Sequence, residues 1–324
     1  MSSDSLIHAL AGSLGGIVAM TATYPLIFLS TRAAVETSKE QKSTYQAVLD
    51  IIKREGITGL YSGLNSSLLG IAITNGVYYF FYERSRAIIL KARTGSKALS
   101  TPESILIGLI AGSATTIISN PIWVIQTSQS VQTMSPSASQ SSLDRSPSDR
   151  SKVSVKKLGF VETIDHILRK GGIQEFWRGI GPALVLVINP VLQYTVFEQL
   201  KNLLIKRRTA RLRAAGSKTA VAVLTDLDFF WLGALSKLVA TSLTYPYIVI
   251  KSRLQAGSAS AARYKSSLDG ILTVIREEGV AGLYKGINSK LVQSVLTAAI
   301  LFAGQRRIYE IVKKTLDTVA VATV

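Results

Sequence analysis

The sequence predicts an all-α membrane protein with six transmembrane helices in three tandem repeats. Three observations lead there. A proline near the end of an apolar stretch recurs as Tyr24-Pro25-Leu26, Asn120-Pro121-Ile122 and Tyr245-Pro246-Tyr247. Downstream of each comes an aromatic residue, a polar or basic one and a glycine: Tyr61-Ser62-Gly63, Trp177-Arg178-Gly179 and Tyr284-Lys285-Gly286. A glycine step precedes each triplet, at Glu55-Gly56, Gly171-Gly172 and Glu278-Gly279, and a second apolar stretch follows it. Three copies of a unit of roughly 100 residues decide the architecture before any single element does.

The elements follow in chain order. After a tail at 1–5, repeat 1 occupies 6–91. Its first span is Ala9–Thr31, which carries no charge, and its second is Ser62–Tyr82. Repeat 2 occupies 101–206, with spans Ser104–Thr127 and Ile180–Phe197, also uncharged. A bilayer core takes about 17–25 apolar residues as a helix, and these four stretches meet that length. Repeat 3 occupies 226–314. There Phe229–Ile250 is interrupted by Lys237, and Leu291–Gly304 is short. Both read as spans because they hold the places of clear spans in the other copies. The tail is 315–324.

Between the two spans of each repeat lies an amphipathic segment. Leu268, Ile271, Leu272 and Ile275 fall on one helical face, as do Phe160, Val161, Ile164, Ile167 and Leu168, and Val48, Ile51 and Ile52. These read as helices lying on the membrane surface. Repeat 2 also holds an insert, 128–155, with eleven serines and few aliphatic residues. It cannot bury enough apolar surface to order itself and is expected to be disordered.

Composition narrows the function. Apolar residues make up 47% of the chain and mean hydropathy is +0.29, as expected of a membrane protein. The 37 basic and 20 acidic residues leave a net charge of +17. That excess suits anionic lipid and an anionic substrate. Nucleic acid is not expected, because the basic residues are spread over loops between spans and not gathered on one soluble face. They are also divided almost evenly between the two sets of loops, so they set no orientation. The absence of cysteine excludes disulfides and thiolate chemistry. Only His8 and His166 are present, with no acid cluster at metal-ligand spacing and no phosphate loop after a strand. No enzyme activity, metal or cofactor is expected. No Lys or Arg precedes Arg32, which is wrong for a secretory signal or transit peptide. The basic loop at 201–218, with Lys206, Arg207, Arg208, Arg211 and Arg213, reads as an anchor on anionic lipid or as a targeting signal for an organelle's import machinery.

The three copies together resemble the mitochondrial carrier family over the whole chain. That resemblance implies six tilted helices with threefold pseudosymmetry around a central cavity, kinked at Pro25, Pro121 and Pro246, and transport of a solute by alternating access. The family motif runs proline, any, acid, two any, base, any, base, and here it is altered. The acids are replaced by Ile27, Trp123 and Ile248, the first bases stand as Ser30, Gln126 and Lys251, and the second as Arg32, Ser128 and Arg253. Arg32, Lys251 and Arg253 are therefore expected to lack their usual acidic partners and to attract an anionic solute. The family's other gate has an aromatic-acid-two any-base pattern. Glu83 with Arg86 and Glu198 with Lys201 match it, and Gln305 stands in the third copy. Gly12 and Gly16, Gly108 and Gly112, then Gly233 and Lys237 hold the family's small-residue packing positions. Lys237 reads either as a functional cation or as a snorkelling one.

The family binds substrate on the even helices. Seven residues past each motif glycine lie Gly70, Leu186 and Gln293. Helical spacing adds Thr74, Tyr78, Asn189, Gln193, Lys290 and Thr297, with Asn75 beside that face. The set is polar, uncharged at its centre and basic toward one mouth. Amides hydrogen-bond a nucleobase edge, Tyr78 stacks on it, and Arg32, Lys251, Arg253 and Lys290 suit phosphates. Asn75, Asn189 and Gln193 read equally as hydrogen bonds between packed helices. The strings Ile188-Asn189-Pro190, Leu235-Ser236-Lys237 and Asn120-Pro121-Ile122-Trp123 resemble the nucleotide branch of the family, and within it the fungal peroxisomal adenine nucleotide carriers. The implied function is exchange of cytosolic ATP for AMP or ADP across the peroxisomal membrane, supporting fatty-acid activation and β-oxidation, by a multi-pass monomer. The alternatives are a peroxisomal or mitochondrial inner-membrane carrier of NAD, FAD or CoA, and a structural protein of the peroxisomal membrane.

Overall fold

A computed structural model describes residues 3–36, 44–91, 99–131, 158–214, 222–258 and 264–301. Among them every regular element is helical. The elements are α1 (Ser3–Val35), α2 (Thr44–Glu55), α3 (Leu64–Lys91), α4 (Thr101–Val131), α5 (Phe160–Gly171), α6 (Ile180–Val185), α7 (Asn189–Ala214), α8 (Asp226–Ala256), α9 (Ser267–Glu278) and α10, which covers 287–301 of the described residues. Gly15–Val35, Thr101–Val131 and Ile173–Ala214 are long and apolar enough to cross a membrane. The chain divides into two compact units. One comprises Met1–Ile27, Ile188–Tyr245 and Ile287–Val324; the other comprises Phe28–Val187 and Pro246–Gly286.

Local chemistry sets the helix starts. Ser100 caps α4: its main-chain N–H and its hydroxyl both donate to Glu103, at 2.8 and 2.7 Å. Thr225 and Asp228 cap α8 reciprocally, and Ser266 accepts from the Asp269 N–H at the start of α9. Each satisfies donors that the first turn leaves open. Pro25, Pro121 and Pro246 lie inside α1, α4 and α8, and each helix continues past its proline.

The second unit holds the amphipathic helices α5 and α9 and their apolar contacts. Ile167 of α5 packs with Val124 and Ile125 of α4 and with Phe176. Val274 of α9 packs with Ile250 of α8 and Leu283. The apolar stripes that read as membrane-facing thus bury part of their width against the kinked helices.

In that unit the middle residue of each aromatic-x-Gly triplet reaches a main-chain carbonyl at the end of the next repeat's kinked helix. Ser62 donates to the Gln129 carbonyl at 3.2 Å, Arg178 to the Gln255 carbonyl at 2.9 Å, and Lys285 to the Glu36 carbonyl at 3.0 Å. Repeat 1 holds repeat 2, repeat 2 holds repeat 3, and repeat 3 holds repeat 1. The triplet glycine permits the approach. Gly286 has φ +80°, and a Cβ there would stand 2.6 Å from the Ser30 carbonyl oxygen. Gly179 has φ +71°, and a Cβ would meet the Lys251 carbonyl oxygen at 3.1 Å. Other residues pay a steric penalty at such φ values, so glycine is required twice over.

Several expectations are corrected. The insert expected from Ser128 starts later, because α4 runs to Val131 and buries Ser128, Gln129 and Ser130. Gln129 bonds Ser66 of α3, and Ser130 bonds Gln126, which keeps these polar residues inside the helix. Residues 132–157 lie outside the described residues. The basic loop from 201 is instead helix as far as Ala214. Arg208 there makes two 2.6 Å bonds to the Asp228 carboxylate, and Thr209 accepts from the Ala222 N–H. Residues 215–221 lie outside. The span Ile180–Phe197 is two helices joined by a tight turn, Leu186–Ile188. Pro190 has no N–H for the Leu186 carbonyl, and the chain tightens before it. Of the small-residue positions, Gly112 makes a close approach: a Cβ would lie 2.6 Å from Val187. Gly16 and Gly233 face open space.

Candidate substrate-binding and gating residues

Arg253 of α8 is not without an acid. Its guanidinium makes two bonds to the Glu278 carboxylate, at 2.5 and 2.9 Å, and its Nε donates to the Ala34 carbonyl at 2.9 Å. Lys285 adds a second cation 2.8 Å from the same carboxylate. The Arg253 and Glu278 side chains are 1% and 7% exposed. Burial alone would raise the Glu278 pKa, but the bonds and charges of Arg253 and Lys285 outweigh it and hold the carboxyl below its ordinary range. The expectation that Arg253 lacks an acidic partner is therefore corrected. The acid of the Glu278-Gly279 step, far away in sequence, takes the place of the missing motif acid. In repeat 2 that step is Gly171-Gly172, and Arg178 pairs instead with Glu175 at 2.9 Å.

Around Arg178 the same unit is held by neutral groups. Gln255 donates to Asn120 at 3.1 Å and accepts from Thr127 at 3.2 Å. Asn120 in turn donates to the carbonyls of Phe176 and Arg178, at 2.9 and 3.2 Å. These buried polar groups satisfy one another beside the motif positions, and a satisfied network specifies one packing.

The other two motif cations differ. The Arg32 guanidinium lies 4.9 Å from the centre of the Phe28 ring, a cation–π contact. Lys251 is half-buried and makes no hydrogen bond or ion pair among the described residues. Its motif acid is Ile248.

The even-helix residues of the second unit are divided in use. Thr74 accepts a bond from the Trp123 indole at 3.2 Å, and Gly70 is buried under Trp123 and Ile122. Tyr78 is exposed and stacks on Tyr82 at 5.9 Å. Asn75 is exposed. Leu186 opens the turn before α7. In the first unit, Asn189 donates to Thr244 at 2.6 Å and to the Ala240 carbonyl at 3.3 Å. That is the helix-packing role left open for it. Gln293 donates to Thr297 at 2.9 Å, and Thr297 lies 3.1 Å from the Thr23 hydroxyl. Gln193 is half-buried, Lys290 accepts from Ser294 through its carbonyl, and Lys237 is half-buried in α8 without a polar partner among the described residues.

The gate pairs form within single helices. Glu83 bonds Arg86 at 3.3 Å in α3, and Glu198 bonds Lys201 at 2.5 Å in α7. Among the described residues each acid is thus engaged by the base of its own pattern. Gln305 lies outside the described residues. The middle residues of the aromatic-x-Gly triplets, and Glu278, are what reading the sequence missed. Their signal was present, since a polar or basic residue recurs at one place in all three copies, but it was read as punctuation of the repeat.

Long apolar helices, with a proline-bearing helix recurring once per repeat, define a multi-pass membrane protein. The family model described as mitochondrial carrier protein matches residues 2–93, 97–208 and 227–319. The chain belongs to the mitochondrial carrier family, whose proteins are transporters with six helices in three tandem repeats. It is similar to the peroxisomal nicotinamide adenine dinucleotide carrier of Arabidopsis thaliana, 39% identical over 93% of this chain and 94% of that protein. It is also similar to the peroxisomal membrane protein PMP47B of Candida boidinii, 32% identical over 92% of this chain and 84% of the other. A third relative is the peroxisomal adenine nucleotide carrier 1 of Arabidopsis thaliana, 29% identical over 94% and 90%. With these relatives and its apolar helices, the chain is a multi-pass transporter of the peroxisomal membrane.

Proposed function

We propose that this carrier exchanges adenine-bearing nucleotides across the peroxisomal membrane, working as a monomer by alternating access. The observation that carries the reading is Lys251. It is a half-buried cation without a polar partner among the described residues, on a kinked helix whose motif acid is Ile248. A cation so placed recruits an anion, and phosphates are the anions its nucleotide-carrying relatives handle. The neutral residues Thr74, Asn75 and Tyr78, in the same unit as Lys251, suit a base and ribose better than they suit a dicarboxylate.

Two substrate readings share the adenylate group. NAD is favoured by the 39% identity to a carrier of that dinucleotide. ATP against AMP or ADP is favoured by the strings around Asn189 and Lys237 and by the adenine nucleotide relative. In the second case the transported ATP would serve fatty-acid activation and β-oxidation.

The test is uptake into liposomes preloaded with AMP or left empty, with labelled NAD, ATP, FAD, CoA and malate outside. NAD and ATP should enter loaded vesicles faster than empty ones, and mutual competition ranks them. Lys251→Gln should lower uptake of both about tenfold or more, the loss of one charge-assisted contact. Equal uptake by loaded and empty vesicles would overturn exchange. Preference for malate would overturn the nucleotide reading.

A further inference from the structure

Trp123 stands where the family motif has an acid, on α4 two residues past Pro121. Its side chain covers two residues of α3 that the repeat marks as substrate contacts. The indole N–H donates to the Thr74 hydroxyl at 3.2 Å. The same edge of the ring lies on Gly70, where an added Cβ would meet Cζ2 at 3.4 Å and Cε2 at 3.5 Å, beside Ile122 at 3.4 Å. A flat fused six- and five-membered ring, with an N–H aimed at a hydroxyl, thus occupies a glycine floor.

A purine has the same outline. It is planar, fused six to five, and presents ring nitrogens and an amino group to a hydroxyl that can donate or accept. The Gly70 floor offers no Cβ, so any ring that replaced the indole could lie equally close.

We infer that Trp123 is a built-in stand-in for the substrate's base: it occupies Gly70 and Thr74 in the absence of nucleotide, and the adenine ring displaces it. This rests on the nucleotide reading above and makes Trp123 a specificity-determining residue. A solute without a base cannot lift the indole, so it meets a covered surface. If the covered state holds about nine molecules in ten, apparent affinity for the base-bearing solute is reduced about tenfold by that population.

The test combines transport with tryptophan emission in proteoliposomes. Trp177 and Trp231 are present in both wild type and Trp123→Phe, so the difference between the two proteins reports Trp123. AMP should change wild-type emission, ribose 5-phosphate should not, and Trp123→Phe should lose the AMP response. Trp123→Phe keeps a ring but loses the N–H bond, and its KM for AMP should fall by about three- to tenfold as competition weakens. Circular dichroism checks that the variant is folded, and Thr74→Val, which removes the acceptor, loosens the same latch: its emission before nucleotide is added should already be shifted toward that of wild type with AMP. AMP uptake with unchanged emission, a response that persists in Trp123→Phe, or a KM for AMP that rises in Trp123→Phe would each overturn the stand-in while leaving the nucleotide reading intact. Failure of wild-type protein to take up any adenine-bearing solute would overturn the nucleotide reading and this inference with it.

Discussion

Breaking the Arg253–Glu278 pair from its acidic side strands a buried guanidinium. Glu278→Gln should therefore destabilise by about 3–5 kcal/mol, the range for removing one partner of a buried ion pair. Thermal unfolding of detergent-purified protein checks this. The pH dependence follows from the sign of the shift. The Glu278 carboxyl is held below its ordinary range in the folded state. Its contribution is therefore complete above the unfolded value of about 4.3 and fades only as pH falls through the lower folded value. Wild-type stability should lose this contribution only below about pH 4.3, and Glu278→Gln should lack that acid-sensitive component. The sequence marked Arg253 by its place in the repeat. Its partner was hidden because a bond between a kinked helix and the end of a surface helix is a tertiary fact, and no spacing rule within one helix encodes it.

At the level of elements, two glycines that look alike in sequence should behave in opposite ways. Gly286→Ala places a Cβ against the Ser30 carbonyl at a φ of +80°. The left-handed conformation alone costs about 1–2 kcal/mol, and the clash adds to it. The variant should unfold at lower temperature and transport more slowly. Gly233→Ala meets nothing within 4 Å in the middle of α8 and should stabilise by about 0.5–1 kcal/mol. Measuring both unfolding midpoints side by side checks the contrast. The apolar helices and the amphipathic segments were legible because burial in lipid or against a neighbour leaves a periodic trace. The end of α4 was not. Ser128, Gln129 and Ser130 look like the start of a polar insert, and their bonds make them helical interior: Ser128 to Gln255 and Arg178, Gln129 to Ser66, and Ser130 to Gln126 one turn back. The basic extension of α7 was hidden for the same reason, since Arg208 is tied down by Asp228 in the first turn of α8.

For the molecule as a whole, the charge of +17 sets how substrate arrives. A nucleotide is drawn toward a cationic protein over distances that salt shortens, with a screening length near 30 Å at 0.01 M and about 8 Å at 0.15 M. Raising KCl over that range should increase KM more for ATP than for AMP and leave the maximal rate nearly unchanged. Initial uptake rates at the two salt levels test this. A maximal rate that collapses with salt would place ion pairs in the rate-limiting movement.

The handing of each repeat's triplet to the next repeat's helix end also bears on biogenesis. Two of the three links form between repeats that follow one another along the chain. The third joins Lys285 and Gly286 to Glu36 and Ser30, across nearly the full length of the polypeptide. During synthesis the end of α1 must therefore wait, with its carbonyls unclaimed, until the last repeat has left the ribosome. A chain stopped after repeat 2 carries two loose ends that nothing in its own sequence can satisfy. That leaves truncated products exposed to quality control and makes completion of the third repeat the step that commits the carrier to its folded state.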